Sequence, residues 1–156
     1  MTPETFLEIA LLPALAILPD KMDSPEARAQ VIAICLQESR LEHRRQIGGP
    51  ARGFAQFELG GGVRGVLNHP ATKTLIRNVL DELAYDHVAD TSYHAIEHND
   101  VLACCYARLL LWTLPQPLPG RGEADEAWEQ YLEAWRPGKP HRQTWNGFYE
   151  QAWMTT

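Results

Sequence analysis

The apolar positions of this 156-residue chain recur at helical spacing, and no segment shows the alternation of a half-buried strand. Two runs are apolar almost throughout, VIAICL at 31–36 and VLACCYARLLLW at 101–112. Continuous apolar runs of this kind are typical of helices that are buried on most sides. A third amphipathic pattern predicts a helix over 71–88. The chain is therefore predicted to be all-α.

Capping residues predict where the helices begin and end. Thr2-Pro3-Glu4 opens a first helix to about Leu18, which Pro13 is expected to kink or end. Ser24-Pro25-Glu26 opens a second helix to about Leu41. The remaining segments are predicted to be a glycine-rich loop at 48–65, a short or broken helix at 90–100, a loop at 115–122, and helices at 123–135 and 140–154. The result is a single domain over 1–156 with six or seven helices.

Two aromatic stripes lie at helical spacing near the carboxyl end. They consist of Trp128, Tyr131 and Trp135, and of Trp145, Phe148 or Tyr149, and Trp153. Such side chains can stack on sugar rings, but stripes at this spacing more often join two helices. We expect them to pack the last two helices onto the domain.

Composition narrows the class of protein. The net charge of −6 provides no basic surface for nucleic acid. Cys35, Cys104 and Cys105 lie in apolar helical surroundings without a Cys-x-x-Cys pair, which favours buried free thiols in a reducing compartment over a thiolate zinc site.

The apolar segment at 6–18 is short and is interrupted by Glu8 and Pro13. It lacks a preceding positive region, so it is expected to be neither a secretory signal nor a membrane span. The sequence predicts a protein made in the bacterial cytoplasm without a signal peptide.

Glu38 is the first candidate for chemistry. Helical spacing aligns it with Ile34 and Val31, so it should leave the core partly desolvated in the last turn of the second helix. Burial and the negative helix end both raise a carboxyl pKa, as a general acid near neutrality requires. The alternative is a solvated helix end, with Glu38 beside the nearby arginines Arg40, Arg44 and Arg45. Arg44 and Arg45, with Arg52 and Arg64, could meet carboxylates of a substrate; the alternative is an ordinary solvated surface.

The following loop carries a family resemblance. Glu38-Ser39, followed by PARGFAQ at 50–56, resembles the lytic transglycosylase branch of the lysozyme superfamily, with Gln56 at the family's distance from the acid. The resemblance implies a lysozyme-like domain that cleaves the MurNAc-GlcNAc linkage of peptidoglycan. One glutamate, here Glu38, would be both general acid and general base, with no cofactor.

The same resemblance implies the substrate-binding residues. Ser39 would offer a hydroxyl, Gln56 an amide, and Gly53 a backbone position that needs a positive φ or close ligand approach. Tyr106 matches the family's tyrosine on a buried helix, so we expect it to project into the cleft of Glu38. Gly53→Val is therefore expected to damage function.

Glu58 offers a second carboxylate. It could act as a nucleophile or a water-activating base, which would give hydrolysis. The alternative, which we prefer, is a helix N-terminal or loop residue paired with Arg64. His94 and His98 share a helical face, but without a marked third ligand we predict solvated histidines and no metal.

Two functions from different classes remain. The preferred one is a peptidoglycan-cleaving enzyme, a phage endolysin delivered by a holin or a muralytic protein packaged in a virion. The alternative is a non-catalytic phage structural or interaction protein that retains the lysozyme-like scaffold, which the acidic net charge favours. A metal-dependent peptidase using the histidines is a distant third.

Overall fold

The computed structural model describes residues 1–156, which form eight helices and no strand. The all-α prediction is confirmed, with eight helices in place of six or seven. They are α1 (Pro3–Phe6, a π-helical turn Leu7–Leu11, and Leu12–Ile17), α2 (Pro25–Ser39), α3 (a π-helical turn Leu59–Val63 and Arg64–Asn68), α4 (Lys73–Glu82), α5 (Ala89–His98), α6 (Asp100–Trp112), α7 (Ala124–Trp135) and α8 (Arg142–Thr155).

Helix α1 passes through Pro13 without ending. A proline inside a helix lacks the amide hydrogen and its ring crowds the carbonyl four residues earlier. The preceding turn, Leu7–Leu11, is π-helical, and the amide of Leu12 donates to the carbonyl of Leu7. The wider turn makes room for the proline ring, so the expected kink is a π-bulge.

Helix α2 follows its predicted caps closely. The Ser24 hydroxyl accepts a hydrogen bond from the amide of Ala27 at 3.1 Å, and Pro25 occupies the first turn. Arg40 adopts a left-handed conformation with φ 55° and ends the helix two residues before the predicted boundary at Leu41. The segment from Val31 to Leu36 is buried on all sides.

Two predicted boundaries were wrong. The helix predicted at 71–88 ends at Glu82, because Ala84 takes a φ of 62° and the amide of Tyr85 turns back to the carbonyl of Leu80 at 2.8 Å. The end of the predicted glycine-rich loop forms the start of α3, where Gly61 takes a non-helical φ and ψ and kinks the turn Leu59–Val63.

One core cluster draws buried side chains from all eight helices. Helix α2 packs most extensively against α8, and α6 is buried along most of its length. All three cysteines are buried and free. None of the helices has both the length and the apolar composition needed to span a bilayer.

The aromatic stripes join α7 to α8, as predicted. Trp145 stacks on Tyr131 with ring centroids 5.3 Å apart and an interplanar angle of 8°. Trp128 lies beside both rings, with its ring centroid 5.3 Å from that of Tyr131 and 5.6 Å from that of Trp145. The indole nitrogen of Trp145 donates to the carbonyl of Ala124 at 2.8 Å, which satisfies its one polar group inside the core.

Candidate functional site

Glu38 lies in the last turn of α2 and faces a cleft of about 570 Å³. Two structures form the walls of this Glu38 cleft. One is the loop wall, residues 42–58 between α2 and α3, and the other is the aromatic wall, the pair α7–α8 with its connecting turn. Side chains from both walls line the cleft, among them Gln56, Glu58, Tyr131 and Trp135. The position predicted for Glu38, at the edge of the core, is the one it occupies.

Tyr131 is the group in direct contact with the acid. Its hydroxyl donates to Oε1 of Glu38 at 2.5 Å. Trp135, one helical turn later, donates its indole N–H to the carbonyl of Ala55 at 2.8 Å, so α7 is fastened to the loop wall. The hydrogen bond to Oε1 leaves Oε2 of Glu38 as the oxygen that can carry the acid proton.

The pKa of Glu38 is raised from its ordinary 4.5 to about 7. Burial is the main cause, because a carboxylate loses hydration at the edge of the core. The hydrogen bond from Tyr131 opposes it and lowers the pKa, while the negative charge of Glu58 raises it further. Burial and the neighbouring Glu38 also raise the pKa of Tyr131, so that the phenol remains a donor.

Ser39 does not face the cleft. Its side chain is buried, and the hydroxyl contacts the carbonyl oxygens of Phe54 at 2.7 Å and Cys35 at 3.1 Å. The expectation that Ser39 meets the acid or substrate is therefore corrected. Because the serine follows Glu38 by one position, it points about a quarter turn away around the helix and braces the loop wall from inside.

Gly53 has the positive φ that was predicted, 74°, but the close approach is internal. A Cβ at this position would stand 2.6 Å from Cγ2 of Ile96, on α5. The glycine is buried and does not line the cleft. Gly53 is thus a packing requirement of the loop wall, and its expected role as a ligand-approach position is corrected.

Gln56 and Glu58 do reach the cleft. The Gln56 side chain donates from Nε2 to the carbonyl of Gly53 at 2.8 Å, which leaves its own carbonyl oxygen without a protein donor. Glu58 is exposed directly before α3. It has no ion pair with Arg64, so that predicted pairing was wrong and the carboxylate remains in the cleft beside Glu38.

Tyr106 was predicted to project into the cleft, and this prediction was wrong. The side chain is fully buried, and its hydroxyl donates to Oγ of Ser92 at 2.7 Å. Its ring packs edge-on against Phe57, which separates it from the open cleft. Burial raises the pKa of Tyr106 to about 12, so this phenol also stays protonated.

The turn from Arg136 to His141 was missed as part of the site. Gln37, beside Glu38, donates to the carbonyl of His141 at 2.9 Å and accepts from the hydroxyl of Thr144 at 2.9 Å. These bonds hold the turn over the end of α2, with Lys139 at the cleft. Two features of the sequence could have indicated these contacts. Gln37 is a polar residue next to Glu38, and Tyr131 carries the one hydroxyl of its aromatic stripe.

Most of the candidate arginines are paired elsewhere. Arg44 forms an ion pair with Asp100 at 2.8 Å, and Arg45 and Arg52 both approach Glu97, at 3.0 and 3.4 Å. None of these three lines the cleft. The positive charge there comes from the Arg136–His141 turn.

His94 and His98 lie beside acidic neighbours on α5. Nε2 of His94 is 3.6 Å from Asp90, and Nε2 of His98 is 3.8 Å from Glu97. No group of three or more His, Cys, Asp or Glu side chains is arranged to hold a metal ion.

No family model, curated protein or solved structure matches the chain. The resemblance to lytic transglycosylases therefore stays a prediction.

Proposed function

We propose that this protein cleaves glycan strands of peptidoglycan at the MurNAc-GlcNAc linkage, with Glu38 as the single general acid and base. The observation that carries the proposal is a carboxyl with a pKa of about 7 in an open cleft of about 570 Å³. Near neutral pH, about half of such a group holds a proton that it can give to a leaving oxygen. An exposed glutamate at its ordinary pKa would be almost fully ionised and could not supply one.

The hydrogen bond from Tyr131 assigns the two carboxyl oxygens. Oε1 accepts from the phenol, and Oε2 carries the proton toward the glycosidic oxygen. As the C–O bond breaks, negative charge that forms on Glu38 is stabilised by the same hydrogen bond. The anionic Glu38 can then take a proton from the second reactant, either the 6-hydroxyl of the sugar or water.

The cleft supplies groups that suit a carbohydrate. Gln56 presents an amide carbonyl for a sugar hydroxyl, and Trp135 presents part of an aromatic side chain for a sugar face. Lys139 lies where a carboxylate of a lactyl group or peptide stem could meet it. A phage holin or packaging inside a virion would bring the enzyme to the wall.

The test is mass analysis of purified cell wall after incubation with wild-type protein and with Glu38→Gln. Glutamine keeps the shape of the side chain and its acceptor oxygen for Tyr131, but it has no acidic proton. The wild type should release muropeptides, and loss of proton transfer should lower the rate by ~10²–10⁴-fold. Both proteins are compared below their melting temperatures. Glu129→Gln is the matched control, because Glu129 lies on the part of α7 away from the cleft.

The two outcomes separate the proposed enzyme from its alternative. Equal release by wild type and Glu38→Gln would assign the activity elsewhere. Absence of products from the folded wild type would favour a non-catalytic scaffold.

The products show whether Glu58 takes part in the reaction. Anhydro ends would identify transfer to the 6-hydroxyl, for which Glu38 suffices, and Glu58→Gln would then retain most of the rate. Reducing ends would identify hydrolysis, with Glu58 as the second carboxylate, and Glu58→Gln would then be strongly impaired.

A further inference from the structure

A second cavity, of about 610 Å³, lies at the opposite end of α2 from Glu38. We call it the Arg108 cavity, after the one basic side chain that lines it. Ser24 and Glu26, at the start of α2, line one side. With a rise of 1.5 Å per residue, this end of the helix is roughly 20 Å from Glu38. The two cavities are therefore separate sites.

Arg108 is buried to all but 4% of its surface, yet no carboxylate pairs with it. Its Nε donates to the carbonyl of Met22 at 2.7 Å, and its two terminal nitrogens make no hydrogen bond to the protein. The side chain lines the cavity. Asp23, the acidic residue whose charge acts on it, is engaged by Arg28 through two hydrogen bonds of 2.7 and 2.9 Å. A buried cation without a partner is costly unless a ligand completes its hydrogen bonds.

Neighbouring groups fix the orientation of the Arg108 guanidinium. Its central carbon lies 5.3 Å from the ring centre of Trp112, and Nζ of Lys21 lies 5.3 Å from the same ring. The hydrogen bond to Met22 and the contact with Trp112 fix the orientation of the planar fork. Two parallel N–H donors on such a fork match the two oxygens of a carboxylate.

The rest of the wall is mainly apolar. It is formed by Leu111, Trp112, Leu114, Pro115, Pro117 and Leu118, with Gln116 as its one amide. The one acidic group lining the cavity is Glu26, and the whole chain carries a net charge of −6. Arg108 supplies one positive charge, and Glu26 nearby is negative. The cavity can therefore balance a single negative charge on a ligand better than the double charge of a phosphate. The geometry points to a binding site for an organic monocarboxylate with an apolar body, with Arg108 as its anchor.

The test uses phenylacetate and its neutral counterpart phenylacetamide, with inorganic phosphate as the competing anion. Each is titrated into ¹⁵N-labelled full-length protein while the Nε–H signals of Arg108 and Trp112 are followed. Phenylacetate should shift both signals and bind at least 10-fold more tightly than the amide, because only the carboxylate forms charge-assisted bonds. Glu38→Gln, at the other site, should bind it equally.

Two variants make the assignment specific. Arg108→Lys keeps the charge but loses the fork and the bond geometry to Met22, so phenylacetate should bind about 10-fold more weakly. Glu26→Gln removes the repelling charge from the surface of the cavity and should tighten binding about threefold. This second variant tests the site even if Arg108→Lys folds poorly.

Four results would overturn the inference. The first two are equal binding of phenylacetate and phenylacetamide, and tighter binding of phosphate than of phenylacetate. The third is a set of shifts confined to residues of the Glu38 cleft. The fourth is no shift with any of the three probes at 10 mM, roughly the weakest binding that such a site could show.

Discussion

The two walls of the Glu38 cleft use their polar groups in opposite ways. The loop wall contains most of the residues that resemble a catalytic motif, but Gly53 is used internally, as is Ser39 behind the loop. The aromatic wall has the sequence of an ordinary helix-packing stripe, but its Tyr131 is the group that touches the acid. The motif-like segment mainly builds the site, and the packing-like segment adjusts its chemistry.

The reason is the direction from which each wall approaches Glu38. The loop leaves the end of α2 and folds back against α5, so its small residues are used in turning and packing. Helix α7 arrives from the distant part of the chain and presents one face toward the end of α2. Long aromatic side chains on that face can span the gap and still bring a hydroxyl to the acid.

The largest expected effect tests whether the loop wall is structural. Gly53→Val places a β-branched residue at φ 74° and against Ile96, so we expect a loss of roughly 3 kcal/mol or more in unfolding free energy. Gly48→Val is the matched control, since Gly48 has φ 71° with open space around it. Denaturant unfolding of both variants separates two costs. The backbone strain of a positive φ is common to both, whereas the overlap with Ile96 occurs only in Gly53→Val. Equal losses would show that the contact with Ile96 does not contribute.

The next effect concerns the acid that both walls enclose. The pKa of Glu38 is about 7 in the folded protein and 4.5 ordinarily. Between these two pH values the folded protein therefore keeps a proton on Glu38 that the unfolded chain has lost. Its contribution to stability is full below pH 4.5 and falls as pH rises through 7, by up to about 3 kcal/mol.

Glu38→Gln should remove this fall, so the variant should gain stability relative to wild type between pH 5 and pH 8. Unfolding free energies at the two pH values, with Glu129→Gln as control, measure the difference. A constant offset between wild type and Glu38→Gln across this range would contradict the raised pKa.

A smaller effect tests the aromatic wall. Tyr131→Phe removes the hydrogen bond that lowers the pKa of Glu38, so that pKa should move above its present value of about 7. The alkaline limb of the pH–rate profile should move upward with it. Loss of a hydrogen bond to a charged group should also cost roughly 1.5–3 kcal/mol above pH 8.

The titration of Glu38 can be followed by NMR of its labelled carboxyl carbon. Tyr149→Phe is the matched control, because its hydroxyl donates to the carbonyl of Gly120 at 2.8 Å and has no contact with Glu38. An unchanged titration in Tyr131→Phe would remove Tyr131 from the proposed mechanism.

The smallest effect separates the predicted tyrosine from the observed one. Tyr106→Phe loses only the hydrogen bond to Ser92, at a cost of about 1 kcal/mol in stability. Cleavage rate and the Glu38 titration should stay at wild-type values. A shifted titration would mean that Tyr106 communicates with the acid after all.

Local physical chemistry determined a large part of this protein. Ser24-Pro25 fixed where α2 begins, because a hydroxyl cap and a first-turn proline act within a few residues. The apolar run from Val31 onward fixed its burial and carried Glu38 to the edge of the core. The positive φ of Gly53 could be predicted as well, since it belongs to a turn within the loop itself.

Tertiary structure decided which side chains meet. Tyr106 and Tyr131 both lie on helices with apolar faces, and nothing local distinguishes them. The packing of α7 between the end of α2 and α8 brings Tyr131 to Glu38, across 93 residues of sequence. Packing of α6 against α5 turns Tyr106 to Ser92. Contacts between distant segments depend on how all eight helices share one core, which the spacing within any single helix does not encode.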